Sequence, residues 1–77
     1  MSRPSAVAKR SLSVAGHRTS VSLEEGFWDE LRRIAGQRGQ SVAALVAEID
    51  RGRAGANLSS ALRVFVLDQL RASHPPP

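Results

Sequence analysis

Three polar side chains, Arg18, Ser20 and Ser22, alternate along a short stretch of this chain and could form hydrogen bonds in one direction. Residues two apart lie on the same face of an extended strand. An arginine can pair with both acceptors of a guanine edge, and a serine hydroxyl can bond to any base. The intervening residues are less polar and partly β-branched: Thr19, Val21 and Leu23. The alternation predicts a half-buried strand over 17–23 with a hydrogen-bonding outer face.

All the charged residues in the segment before this strand are basic. The chain has 11 Lys and Arg against 7 Asp and Glu, giving a net charge of +4. The first acid is Glu24, and four bases precede it: Arg3, Lys9, Arg10 and Arg18. A basic excess favours an anionic partner such as nucleic acid, although a basic tail can also simply keep a protein soluble. Because residues 1–16 are rich in small and polar side chains, we predict a flexible basic arm.

Two amphipathic helices follow the strand and must position it. Apolar residues recur at helical spacing over 24–37 and again over 41–51. The pair Ser22 and Glu25 fits a capping box at the start of the first helix. Ser41 follows a Gly-containing turn and is expected to cap the second helix.

A third helix is predicted over 58–72, capped by Asn57 or Ser59, with a disordered tail at 73–77. This helix is apolar nearly all round, a pattern that is typical of a buried helix. In a chain of 77 residues such burial is achieved most easily between two subunits.

Dimerisation is also the expected solution for the strand, because a single strand cannot make a sheet. The chain has no cysteine, and His17 and His74 lie far apart, so we expect no disulfide, metal or cofactor. The predicted fold is mainly α with one short N-terminal strand, forming an intertwined homodimer with an intersubunit antiparallel β-ribbon. The expected dimer core contains apolar residues of every element: Val21, Leu23, Trp28, Leu31, Leu45, Ile49, Leu62 and Phe65.

The stretches RTSVSLEEGFWDELRRIA and RGQSVAALV, within residues 17–51, resemble the ribbon-helix-helix family of bacterial transcription regulators, which includes the Arc and Met repressors. The later segment NLSSALRVFVLDQL is similar to the C-terminal part of an uncharacterised bacterial branch of that family, with an additional helix. The resemblance implies that two strands pair across a dimer axis and lie in the major groove of double-stranded DNA.

The resemblance also implies roles for individual residues. Arg18, Ser20 and Ser22 take the base-facing positions. The phosphate position falls to the start of the second helix, where free N–H groups and the helix dipole attract anions; it comprises Ser41, Val42 and Ala43. Lys9 and Arg10 are expected to contact phosphates beside the ribbon, or to belong to a free tail.

These observations favour a cytoplasmic, sequence-specific transcriptional regulator, with repression as the expected action. An antitoxin of a toxin–antitoxin pair and an interaction module that docks a protein partner through the third helix remain alternatives. We expect no enzymatic activity, because no nucleotide-binding, nucleophile or paired-carboxylate motif is present. We also expect no membrane association, because no apolar run approaches the ~20 residues that span a bilayer.

Overall fold

The computed structural model describes residues 5–52 and 57–73. Within these ranges the chain forms two strands, β1 (Val7–Val14) and β2 (His17–Glu24), followed by helices α1 (Glu25–Gln37), α2 (Val42–Gly52) and α3 (Leu58–Ser73). The strands pair antiparallel in a two-stranded sheet. The beginning of the predicted arm, at 1–4, and most of the predicted tail, at 74–77, lie outside the described residues.

The prediction of a single strand was wrong. Residues Val7–Val14, which we expected in a flexible arm, form a strand that pairs with β2 of the same chain, from Val14 opposite His17 to Val7 opposite Glu24. A two-residue turn joins the strands, and both of its residues, Ala15 and Gly16, have positive φ, at 52° and 82°. This is the mirror-image turn whose twist matches that of paired strands. The sheet therefore forms without a second chain.

Trp28 of α1 holds β1 against the body of the protein. Its indole Nε1 donates a hydrogen bond to the carbonyl oxygen of Ala8 at 2.9 Å. The guanidinium of Arg10 lies over the Trp28 ring, 5.5 Å from the ring centroid. A cation over an aromatic face is attracted by the ring quadrupole. Arg10 thus occupies an inner position of β1, where an alternating pattern would place an apolar residue.

The core lies between the inner face of the hairpin and the three helices. Of the eight residues expected in a dimer core, six are buried within one chain: Val21, Leu23, Trp28, Leu31, Leu45 and Leu62. The other two, Ile49 and Phe65, are half-buried beside that core. The burial of these six side chains does not require a second subunit.

The predicted capping box of α1 was wrong, because Ser22 is part of β2 and Glu24 is the N-cap residue, without a side-chain cap. Instead, the Glu25 N–H donates to the carbonyl of Ala6 at 2.8 Å, which continues the strand pairing into the helix. The cap of α2 is confirmed, since the Ser41 hydroxyl accepts the Ala44 N–H at 3.1 Å.

Asn57 caps α3, because its side-chain oxygen accepts the Ser60 N–H at 2.8 Å. Helix α3 is not buried all round within one chain. Leu62 and Val66 are buried, whereas Val64 and Leu67 are 56% and 44% exposed. No helix in residues 5–52 or 57–73 combines the length and the apolar character needed to cross a membrane.

Candidate nucleic-acid interface

The outer face of the β1–β2 hairpin is polar and basic on both strands. The register sets Lys9 opposite Ser22, Ser11 opposite Ser20, and Ser13 opposite Arg18. These six side chains, hereafter the ribbon face, are all exposed. The three base-facing residues predicted from the sequence lie together on this surface: Arg18, Ser20 and Ser22. The fold adds three side chains from β1, of which Ser11 and Ser13 were missed in the sequence.

Lys9 and Arg10, expected to act together, lie on opposite faces of β1. Lys9 is part of the ribbon face, whereas Arg10 projects to the inner side and contacts Trp28. The assignment of Arg10 to phosphate contact is therefore not supported by this geometry. A signal for the second strand was present in the sequence: a basic residue and two serines stand at every second position at 9, 11 and 13, as they do at 18, 20 and 22.

The ribbon face keeps its positive charge, whereas the arginines of α1 are largely neutralised. Arg33 Nη2 lies 2.7 Å from Glu30 Oε1, and Arg32 pairs with Asp29 one turn earlier in the same helix. The ion pairs found among the described residues include neither Lys9 nor Arg18. These two cations are therefore available to an anionic partner.

Glu24 ends β2 beside the ribbon face, and Arg63 of α3 neutralises it. Arg63 Nε lies 3.0 Å from Glu24 Oε1. This hydrogen bond, together with one to the backbone of Glu24 itself, lowers the pKa of the Glu24 carboxyl from its usual 4.5. The carboxylate is therefore ionised at neutral pH, with its charge directed to Arg63.

The predicted phosphate site lies at the start of α2, in a different element from the ribbon face. Ser41 Oγ is engaged by the Ala44 N–H, and the first turn contains no acid. The N–H groups of Val42 and Ala43 precede the first intrahelical hydrogen bonds, so they have no backbone partner within the helix. They lie in a half-buried position at the positive end of the helix dipole.

A two-stranded ribbon with a basic outer face, packed on short helices, defines a class of small DNA-binding folds. The chain matches the ribbon-helix-helix domain family over residues 7–70 and belongs to that family. Membership indicates a DNA-binding role of the regulator or antitoxin kind.

A solved structure with a similar fold is that of an uncharacterized protein from Bordetella pertussis Tohama I. The two chains are 40% identical, with a TM-score of 0.75. The match covers 97% of this chain and 66% of the other, so this chain spans just under two thirds of the length of its structural relative. Among curated proteins no match was found.

Proposed function

We propose that this protein is a sequence-specific transcriptional regulator, acting as a repressor, that reads the major groove of double-stranded DNA with its ribbon face. The observation that carries the proposal is an exposed two-stranded surface on which Lys9 and Arg18 have no carboxylate partner among the described residues. The major groove, about 12 Å wide, admits a two-stranded ribbon. The proposal involves no catalysis and implies a cytoplasmic location with the DNA.

The side chains of β2 suit different parts of this task. Arg18 can donate two hydrogen bonds to guanine and so would carry most of the discrimination between bases. Ser20 and Ser22 are short, bond to any base, and let the ribbon approach the groove floor closely. Ser41 and the N–H groups of Val42 and Ala43 would bind a phosphate and fix the register of the protein without reading sequence.

A pair of selections on randomised DNA tests the reading role of Arg18. Arg18→Ala should weaken binding to the preferred site by ~1–3 kcal/mol and relax the preference at one base position. Arg32→Ala is the matched control, because Arg32 is an exposed arginine that pairs with Asp29 on α1. If Arg18→Ala selects the same sequence as the unmodified protein, the ribbon face is not the reading surface.

We also propose that the protein acts as a homodimer whose subunits meet along α3. Val64 and Leu67 are exposed on one side of this helix, next to a groove between α2 and α3 that contains Ile49 and Phe65. A second copy would remove this apolar surface from water, which is favourable in proportion to its area. Sedimentation of Leu67→Glu against the unmodified protein tests this. An unmodified protein that is monomeric at micromolar concentration would contradict it.

The same exposed apolar side of α3 favours one alternative, an antitoxin or other module that binds a protein partner there. The two functions differ in solution behaviour. A regulator that dimerises through α3 gives a stable dimer on its own, whereas a partner-binding module keeps this surface open until the partner is added. Sedimentation of the purified chain therefore also separates these functions.

A further inference from the structure

We propose that one chain supplies a complete reading ribbon, so that Lys9, Ser11 and Ser13 of β1 read DNA together with β2. The inference rests on the proposed function and extends it to residues that the sequence assigned to a flexible arm. Its basis is the register: every outward residue of β1 between 9 and 13 stands opposite an outward residue of β2. The ribbon face therefore exists before any second subunit binds.

The two strands carry the same pattern in opposite directions. On β1 the outward residues are Lys9, Ser11 and Ser13, and on β2 they are Arg18, Ser20 and Ser22. The outward face of each strand thus begins with a basic residue, which is followed by two serines. Because the strands are antiparallel, Lys9 and Arg18 lie at diagonally opposite corners. The face has an approximate two-fold symmetry that is built into a single chain.

The dimensions of this face suit a DNA groove. The four residue steps from Lys9 to Ser13 span about 13 Å along a strand, and paired strands lie about 4.8 Å apart. The six side chains therefore cover a narrow strip that fits within a major groove about 12 Å wide. Such a strip reaches about four base pairs at about 3.4 Å each. Lysine, like arginine, can bond to O6 and N7 of guanine, so Lys9 is placed to read a base at the end of the strip opposite to Arg18.

Contacts from the helices hold both strands of the ribbon. On the free edge of β2, the Ser59 hydroxyl of α3 donates to the Ser22 carbonyl at 3.2 Å, and Arg63 binds Glu24 at the strand end. The start of α3 therefore occupies the Ser22 end of the edge through which β2 would pair with another β2. On the other strand, Trp28 bonds to the Ala8 carbonyl and anchors β1.

Engineered cysteines test whether the ribbon forms within one chain. Ser11 and Ser20 face each other directly, and the chain contains no cysteine of its own. Opposed residues in such a pair have Cα atoms about 4.5–5.5 Å apart, within the range that a disulfide bridges. Ser11→Cys/Ser20→Cys should form an intramolecular disulfide under mild oxidation, and Ser11→Cys alone is the control. A double variant that oxidises only to covalent dimers would overturn the single-chain ribbon.

DNA selections on Lys9 variants test the reading role of β1. Lys9→Ala should lower affinity for the preferred site about 5- to 150-fold and relax one base position, at the end opposite to the position that Arg18→Ala relaxes. Lys9→Arg should retain a preference there. Arg10→Lys is the matched control, because Arg10 adjoins Lys9 in sequence but contacts Trp28 on the inner face; it should leave the selected sequence unchanged.

The outcomes separate this inference from the proposed function. If Arg18→Ala changes the selected sequence while Lys9→Ala does not, β1 is not a reading strand and the inference fails, although the DNA-binding function stands. If the unmodified protein selects no sequence at all, the proposed function fails, and the reading role of β1 with it. If an intramolecular disulfide between positions 11 and 20 forms in that case, the ribbon still belongs to a single chain but has another function.

Discussion

Ala15→Asn should stabilise the protein, because Ala15 is in a backbone conformation that alanine adopts at a cost. Its φ is 52°, and the following Gly16 has a φ of 82°. Two consecutive positive φ angles define the hairpin turn in which Asn-Gly is strongly preferred. The sequence here supplies the glycine at the second position and an alanine at the first. The substitution therefore leaves the turn geometry unchanged and removes only the cost of holding alanine in a left-handed conformation.

The size of the effect follows from that geometry. A left-handed conformation costs an ordinary L-residue roughly 1–2 kcal/mol, whereas asparagine tolerates it. We therefore expect Ala15→Asn to raise the free energy of unfolding by about 1 kcal/mol. In a domain of this size this corresponds to a rise in Tm of roughly 4–8 °C. Gly16→Ala should lower the free energy of unfolding. The cause would be backbone strain alone, because an added Cβ at Gly16 would meet no atom within 4 Å.

Urea unfolding followed by tryptophan fluorescence measures both effects. Trp28 is the single tryptophan of the chain and contacts β1 directly, so its emission reports on the hairpin. Ser13→Asn is the control, since it introduces asparagine at an exposed strand position outside the turn. An unchanged midpoint for Ala15→Asn would refute the reasoning, because it would mean that residue 15 is not left-handed in solution. That result is expected if Val7–Val14 pairs with another chain through an extended connection.

Three further predictions concern caps, core and pH. Ser41→Ala and Asn57→Ala should each lower stability by ~1 kcal/mol in urea unfolding, because each removes an N-cap. Only Ser41→Ala should also weaken binding to all DNA sequences equally, and a changed base preference would contradict this. Leu45→Ala should cost ~2–5 kcal/mol, since Leu45 is fully buried, and a loss below about 1 kcal/mol would contradict the packing described above. Because Arg63 lowers the pKa of Glu24, their interaction stabilises the fold above pH 4.5 and is lost as the pH falls below it. Glu24→Gln should therefore reduce the pH dependence of Tm in that range. An unchanged pH dependence of Tm would count against the ion pair.

The helices and β2 could be predicted because their hydrophobic periodicity is regular. Thr19, Val21 and Leu23 alternate with polar residues, and the helical stripes meet the core where a 3.6-residue repeat places them. Ser41 was predictable as a cap because it stands directly before an apolar run. The pair Ser22 and Glu25 has the spacing of a capping box but does not form one, since strand pairing extends to Glu24 and leaves Ser22 on the ribbon face.

Strand β1 was missed for two physical reasons. Arg10 takes an inner position that the period-2 pattern reserves for an apolar residue, and it does so while remaining exposed, with its guanidinium over the Trp28 ring. Ala15 occupies a left-handed turn position at which asparagine or glycine would have signalled a hairpin. Of the six residues of the ribbon face, the three on β2 and Lys9 were therefore predicted to contact DNA, whereas Ser11 and Ser13 were recognised only from the register.

The distribution of charge, more than the net charge of +4, argues for an anionic partner at the ribbon. The fold pairs several of its arginines with carboxylates: Arg32, Arg33, Arg38 and Arg63. On the ribbon face, by contrast, Lys9 and Arg18 stand at opposite corners with serines between them. Charges that are paired within the protein contribute little to the potential that attracts a polyanion. Lys9 and Arg18 therefore give positive charge to the one described two-stranded surface whose shape suits the groove, and the same strand pairing that turns Arg10 toward Trp28 leaves Lys9 on the outer face.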